Sequence, residues 1–135
     1  MPKTSILLAD DNSAILDHVN NLLKKNRRYE VVAALSSGAA VLRDYKRFSP
    51  DVIVLDISME LLSGIDVAQH LRDYGCHSKI VFLTVHEDSD YVNAAMGAGG
   101  SAYVVKSRLS TDLIPAINAA LSHKIFVSPT LLYTL

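Results

Sequence analysis

The sequence predicts an open α/β fold, a doubly wound parallel sheet of five strands carrying five helices, and three observations carry that prediction. Short runs rich in β-branched residues alternate five times with stretches of helical periodicity, with no linker or low-complexity break between them. These runs, at residues 5–9, 29–34, 52–55, 79–83 and 102–105, are nearly continuous in apolar residues, as expected of strands covered on both faces. The chain has 135 residues, half of them hydrophobic, which suffices for one core and excludes two domains at ~100–150 residues each.

Each element has its own signal. After the first run, Ile15, Leu16, Val19, Leu22 and Leu23 recur at helical spacing behind Ser13, the expected N-cap. A second helix carries Val41, Leu42, Tyr45 and Phe48 after Ser37 and stops at Ser49-Pro50, where proline cannot continue it. The third carries Ile65, Ala68 and Leu71. The fourth, about residues 88–96, carries Tyr91, Val92 and Ala95 and is ended by Gly97, Gly99 and Gly100, which makes it the expected weakest helix. The fifth shows Leu113, Ile114, Ile117, Ala120 and Leu121 behind Ser110, and Pro115 costs it a backbone hydrogen bond unless it begins late. Five right-handed βα units of this length fit most simply into the flavodoxin-like strand order 2-1-3-4-5.

Composition narrows the function. Thirteen basic against 14 acidic residues leave a net charge of −1, without the basic excess that phosphate-backbone binding needs, so these residues are not expected to hold DNA directly. The single cysteine, Cys76, can form neither an internal disulfide nor a metal cage and fits a reducing compartment. The start of the chain has only a short apolar run before two acids. A cytoplasmic protein without a signal peptide or membrane span is expected.

In an open parallel sheet the working crevice lies beyond the C-terminal ends of the strands. Strand one runs into Asp10-Asp11, strand three into Asp56, strand four ends at Thr84, and strand five runs into Lys106. Any one of these aspartates alone reads as a turn or helix cap. Three carboxylates within roughly 5 Å repel by several kcal/mol at an effective dielectric near 20 and call for a cation. Oxygen-only ligands select a hard divalent ion, and Mg²⁺ is the one expected. Lys106 adds a positive charge and Thr84 a hydroxyl donor, a pairing that suits a phosphoryl group. Asp56, on the central strand between the acid pair and the Thr84–Lys106 side, is then the expected nucleophile, accepting phosphate as a mixed anhydride.

This arrangement resembles the receiver domain of two-component response regulators, over about residues 3–121. The resemblance rests on Asp10-Asp11, on Ser49-Pro50-Asp51 leading through residues 52–55 to Asp56 with Met59 and Gly64 following, on Leu83-Thr84, and on Ala98-Gly99-Gly100-Ser101-Ala102-Tyr103-Val104-Val105-Lys106. It implies Asp56 as phosphoacceptor, Asp10 and Asp11 as Mg²⁺ acids with the Ser58 backbone carbonyl as a further ligand, Thr84 and Tyr103 as the switch pair, and Lys106 as the phosphoryl-binding lysine. It also implies a sensor histidine kinase as phosphodonor, a homodimer on phosphorylation, and a phosphoacceptor rather than an enzyme acting on a separate substrate. Residues 103–107 and Phe126-Val127-Ser128-Pro129 look like the NarL/LuxR type, whose receivers are followed by a linker and a helix-turn-helix domain that would carry any DNA binding. The expected division is a receiver over residues 1–123 and, over 124–135, a C-terminal tail or the start of a linker. Leu131, Leu132 and Leu135 suggest a linker helix or an apolar tail packed on the domain.

Three positions depart from the family pattern. Glu60 stands where proline is frequent, Val85 follows Thr84 where a smaller residue is common, and Ser107 replaces the frequent proline after Lys106. The Lys106–Ser107 peptide is expected to be trans, since cis before a non-proline residue costs about 3 kcal/mol. His18, His70, His77, His86 and His123 show no metal-ligand spacing and read as solvated surface residues. An FMN-binding flavodoxin is excluded because Asp10-Asp11 would repel the phosphate its first loop must cradle. A haloacid-dehalogenase-type phosphohydrolase is excluded because Ser58 occupies the place of its second aspartate. A phosphorylation-independent receiver-like interaction module is the remaining alternative.

Overall fold

The computed structural model describes residues 2–129. In chain order the elements are β1 (Thr4–Ala9), α1 (Ser13–Lys24), β2 (Tyr29–Leu35), α2 (Gly38–Phe48), β3 (Val52–Leu55), α3 (Gly64–Asp73), β4 (Lys79–Thr84), α4 (Ser89–Gly97), β5 (Ala102–Val105), a 3₁₀ turn (Lys106–Arg108), α5 (Leu109–Leu121) and β6 (Phe126–Val127). The sheet order is β2-β1-β3-β4-β5-β6, with every neighbouring pair parallel. The five expected strands take the expected order, and a sixth, of two residues, is added at the β5 edge. Two residues are too short a run to show periodicity, so part of the expected tail is a strand. The expectation for Leu131, Leu132 and Leu135 lies outside the described residues.

The continuous apolar runs are explained by burial on both faces. Leu7, Ile53, Leu55, Phe82 and Tyr103 point to one side and pack with Val41, Val67 and Leu71 of α2 and α3 and Val92 of α4. Ile6, Leu8, Val54, Leu83 and Val104 point to the other and pack with Val19 and Leu23 of α1 and Leu113 and Ile117 of α5. At ~25 cal/mol per Å² of apolar surface, each such side chain contributes roughly 1.5–3 kcal/mol.

Local chemistry sets the helix ends. Asn12, not Ser13, caps α1: its side-chain oxygen accepts from the amides of Ala14 and Ile15, at 3.0 and 3.4 Å. Asn and Ser are similarly good caps, so sequence alone did not separate neighbours. Ser37 and Ser63 cap α2 and α3 through the amides of Ala40 and Asp66. Asp88 at the start of α4 makes no side-chain cap bond, consistent with the weakness expected of that helix. α5 does not begin late. It follows directly from the 3₁₀ turn, Ser110 is its second residue, and Pro115 lies inside it. The lost hydrogen bond is offset by complete burial of Leu113, Ala116, Ile117 and Ala120.

Candidate functional site

β1, β3, β4 and β5 are adjacent, so the residues that follow them share one end of the sheet. Asp10 and Asp56 are each 3% exposed and Thr84 is fully buried, while Asp11 is exposed. Carboxylate oxygens of Asp10, Asp11 and Asp56 lie within 4.8 Å of one another. Lys106 reaches in from the end of β5, its Nζ 2.8 Å from Asp10 Oδ2 and 3.5 Å from Asp56 Oδ1. Gly64 secures the backbone here. Its amide donates to the Ile57 carbonyl at 2.8 Å, and a Cβ at this position would stand 2.0 Å from the Asp56 carbonyl oxygen. Any side chain there would push the loop away from Asp56.

The electrostatics follow from crowding. Burial, then the Asp10 charge, raises the Asp56 carboxyl from 3.8 to about 6; Lys106 and the Ser58 amide oppose the rise, and Asp11 adds to it. The Ser58 amide donates to Asp56 Oδ1 at 3.3 Å, and the Asn12 amide to Asp10 Oδ1 at 2.8 Å. Asp10 Oδ2 is buried and has the Lys106 ammonium as its polar neighbour. The Lys106 contact is therefore a charge pair. Two buried carboxylates and one exposed one, gathered within 4.8 Å with a single lysine beside them, are a donor set that fits a hard divalent cation.

Thr84 and Tyr103 are joined through His86. The His86 amide donates to Thr84 Oγ1 at 3.2 Å, and the Tyr103 hydroxyl donates to the His86 carbonyl at 2.8 Å. Tyr103 is wholly buried, and burial, with Tyr91, Asp88 and Glu87 nearby, holds its phenol well above the ordinary range. The His86 ring bonds the Ser58 hydroxyl and stacks on Tyr91, with centroids 3.9 Å apart and planes 8° from parallel. His86 is thus half-buried and tied to four neighbours, which corrects its reading as a solvated residue. Its place two residues beyond Thr84 was the only hint in the sequence. The side chain of Ser58 is otherwise exposed, and the Lys106–Ser107 peptide is trans as expected. The loop after Asp56 turns tightly at Leu61, which is fully exposed with φ +67°, where the Leu62 amide donates to the Glu60 carbonyl at 2.7 Å.

Fold and site together define a doubly wound protein with an acidic cluster and one lysine at the C-terminal end of its sheet. Residues 6–118 match the response regulator receiver domain family, and the chain belongs to that family. It is 34% identical over 122 residues to the nitrate/nitrite response regulator protein NarP of Escherichia coli, covering 90% of this chain and 57% of that protein. It is 32% identical over 128 residues to the transcriptional regulatory protein DesR of Bacillus subtilis, covering 95% and 63%. A LuxR-family two-component response regulator from Aurantimonas sp. SI85-9A1 superposes with a TM-score of 0.93 at 28% identity, covering 98% of this chain and 95% of that one. The chain spans less than two-thirds of the length of NarP and of DesR. Receiver domains of this family bind Mg²⁺ at an acidic pocket and interact with histidine kinases. Among the described residues no helix is long and apolar enough to cross a membrane.

Proposed function

We propose that this chain is a phosphoacceptor: Asp56 takes a phosphoryl group from the phosphohistidine of a sensor histidine kinase. The observation that carries this reading is the crowding of the Asp10, Asp11 and Asp56 carboxylates within 4.8 Å of one another, with the Lys106 ammonium against Asp10 and Asp56. Asp10, Asp11, Asp56 and the Ser58 carbonyl would hold Mg²⁺, which when bound neutralises charge on phosphoryl oxygens. An Asp56 carboxylate oxygen forms the new bond to phosphorus as the phosphorus–nitrogen bond of the donor breaks, and the imidazole leaves with the bonding pair. Lys106 offsets the negative charge that gathers, and Thr84 turns its hydroxyl toward the phosphoryl oxygens. That turn would release the His86 amide and, through its carbonyl, Tyr103.

NarP and DesR are named as regulators, and we read this receiver as governing transcription in the cytoplasm through a DNA-binding domain outside this chain, with homodimerisation on phosphorylation. The receiver unit is taken to run through β6 and Ser128 rather than to the expected boundary at 123, with the chain from Pro129 on leading to that output. The test is incubation with phosphoramidate and Mg²⁺. Label is expected on the wild type and not on Asp56→Asn, whose amide cannot form the acyl phosphate. Label retained by the variant would refute Asp56, and an unlabelled wild type would favour the phosphorylation-independent module.

A further inference from the structure

Ser128 is a polar residue at the edge of the sheet, yet it is wholly buried. β6 runs beside β5 with Phe126 opposite Ala102 and Val127 opposite Tyr103. At Ser128 the ladder ends in an unusual way. Its amide donates to the Tyr103 carbonyl at 2.9 Å, and its hydroxyl oxygen accepts the Val105 amide at 3.0 Å. A side-chain oxygen thus stands in for the next carbonyl of the ladder, and Pro129, which has no amide hydrogen, ends the pairing.

Val105 immediately precedes Lys106, where the chain leaves the strand for the 3₁₀ turn. The direction in which the Lys106 side chain departs depends on the backbone at that junction, and the Val105 amide has Ser128 as its partner there. Lys106 Nζ must span to Asp10 and Asp56 at once, at 2.8 and 3.5 Å. Misplacement of a reacting or charge-bearing group by ~1 Å can cost up to about 100-fold in rate. We propose that Ser128 is a positioning residue, which fixes the end of β5 so that Lys106 meets the carboxylates. The proposal rests on the phosphoacceptor reading above.

The experiment compares the full chain with Ser128→Ala, Ser128→Cys and Phe126→Ala. The initial rate of phosphorylation by phosphoramidate is measured across Mg²⁺ concentrations, alongside thermal melting and hydrogen exchange at the Val105 amide. Ser128→Ala is expected to lower the rate at saturating Mg²⁺ about tenfold, leaving the half-saturating Mg²⁺ concentration within about twofold, because Asp10 and Asp11 do not hang from β5. Exchange at Val105 should quicken. Phe126→Ala weakens the same strand without touching the Val105 bond, so it should melt lower yet keep the rate within about twofold. Ser128→Cys, close in shape but a weaker acceptor, should also slow the rate and serves if the alanine variant unfolds. A wild-type rate in the folded Ser128 variants, or equal slowing by Phe126→Ala, would overturn the proposal. An unlabelled wild type would instead overturn the phosphoacceptor reading, and this inference with it.

Discussion

The two ends of the sheet handle charge in opposite ways. At the N-terminal end, Asp51 accepts the amide and hydroxyl of Ser5 on one oxygen, at 2.8 and 3.1 Å. The Arg72 guanidinium donates to the carbonyls of Cys76, Ser78 and Gly99 at 2.8, 3.0 and 2.8 Å, tying α3, the loop before β4 and the loop before β5 together. The Tyr45 hydroxyl, buried without a partner, is the exception at that end. At the C-terminal end three carboxylates crowd together, one lysine reaches two of them, and the Asp56 carboxyl is raised. A concavity of about 490 Å³, lined by Tyr45, Asp51 and Lys79, lies at the N-terminal end. Unmet electrostatic demand, rather than room, marks the working end.

This contrast can be broken from either side. Arg72→Ala should produce the largest effect, a loss of about 3 kcal/mol in urea unfolding, because three carbonyls lose a charged donor together. Mg²⁺ affinity by calorimetry should not change; a parallel fall in affinity would mean the two ends are not independent.

The next effect is on pH dependence. Asp56 has a folded value of about 6 against 3.8 unexposed to these neighbours, so the native state holds its proton to higher pH. Below about 4 both states are protonated and no cost arises. As pH rises from about 4 through 6 the metal-free protein should lose on the order of 2 kcal/mol, after which the cost is constant. Asp56→Asn should flatten that slope in melts at low ionic strength, and Mg²⁺ should offset the loss above pH 6. A slope unchanged in the variant would place its origin elsewhere.

The smallest of the three is Asp11→Ala. It should weaken Mg²⁺ binding about tenfold while leaving the metal-free melting temperature the same or slightly higher, because an exposed repelling carboxylate is gone. Unchanged affinity would show that Asp11 is not a ligand.

Much of this contrast was legible in the sequence, for a physical reason. Runs buried on both faces announce themselves, and the residues following them must gather at one end, so Asp10, Asp11, Asp56, Thr84 and Lys106 were found together without coordinates. What stayed hidden depends on side-chain direction across distant elements. His86 gives no spacing signal because its partners, Ser58, Tyr91 and Tyr103, come from three different segments. Arg72 resembles any helix-surface charge until the loops at Cys76 and Gly99 close on it. β6 is too short to show alternation, and Ser128 looks like a loop serine.

The all-parallel connectivity also has a kinetic side. Asp10 and Asp11 follow β1 and Asp56 follows β3, so their meeting must wait until those two strands have paired, after the long connection through α1, β2 and α2 has closed. Before that moment the cation has only Asp10 and Asp11, neighbours in sequence after β1. Mg²⁺ should therefore be a late arrival: in stopped-flow chevrons it should slow the unfolding arm and leave the refolding arm where it was. A refolding rate that rises with Mg²⁺ would mean that the acids assemble early and that the ion guides the chain into its fold.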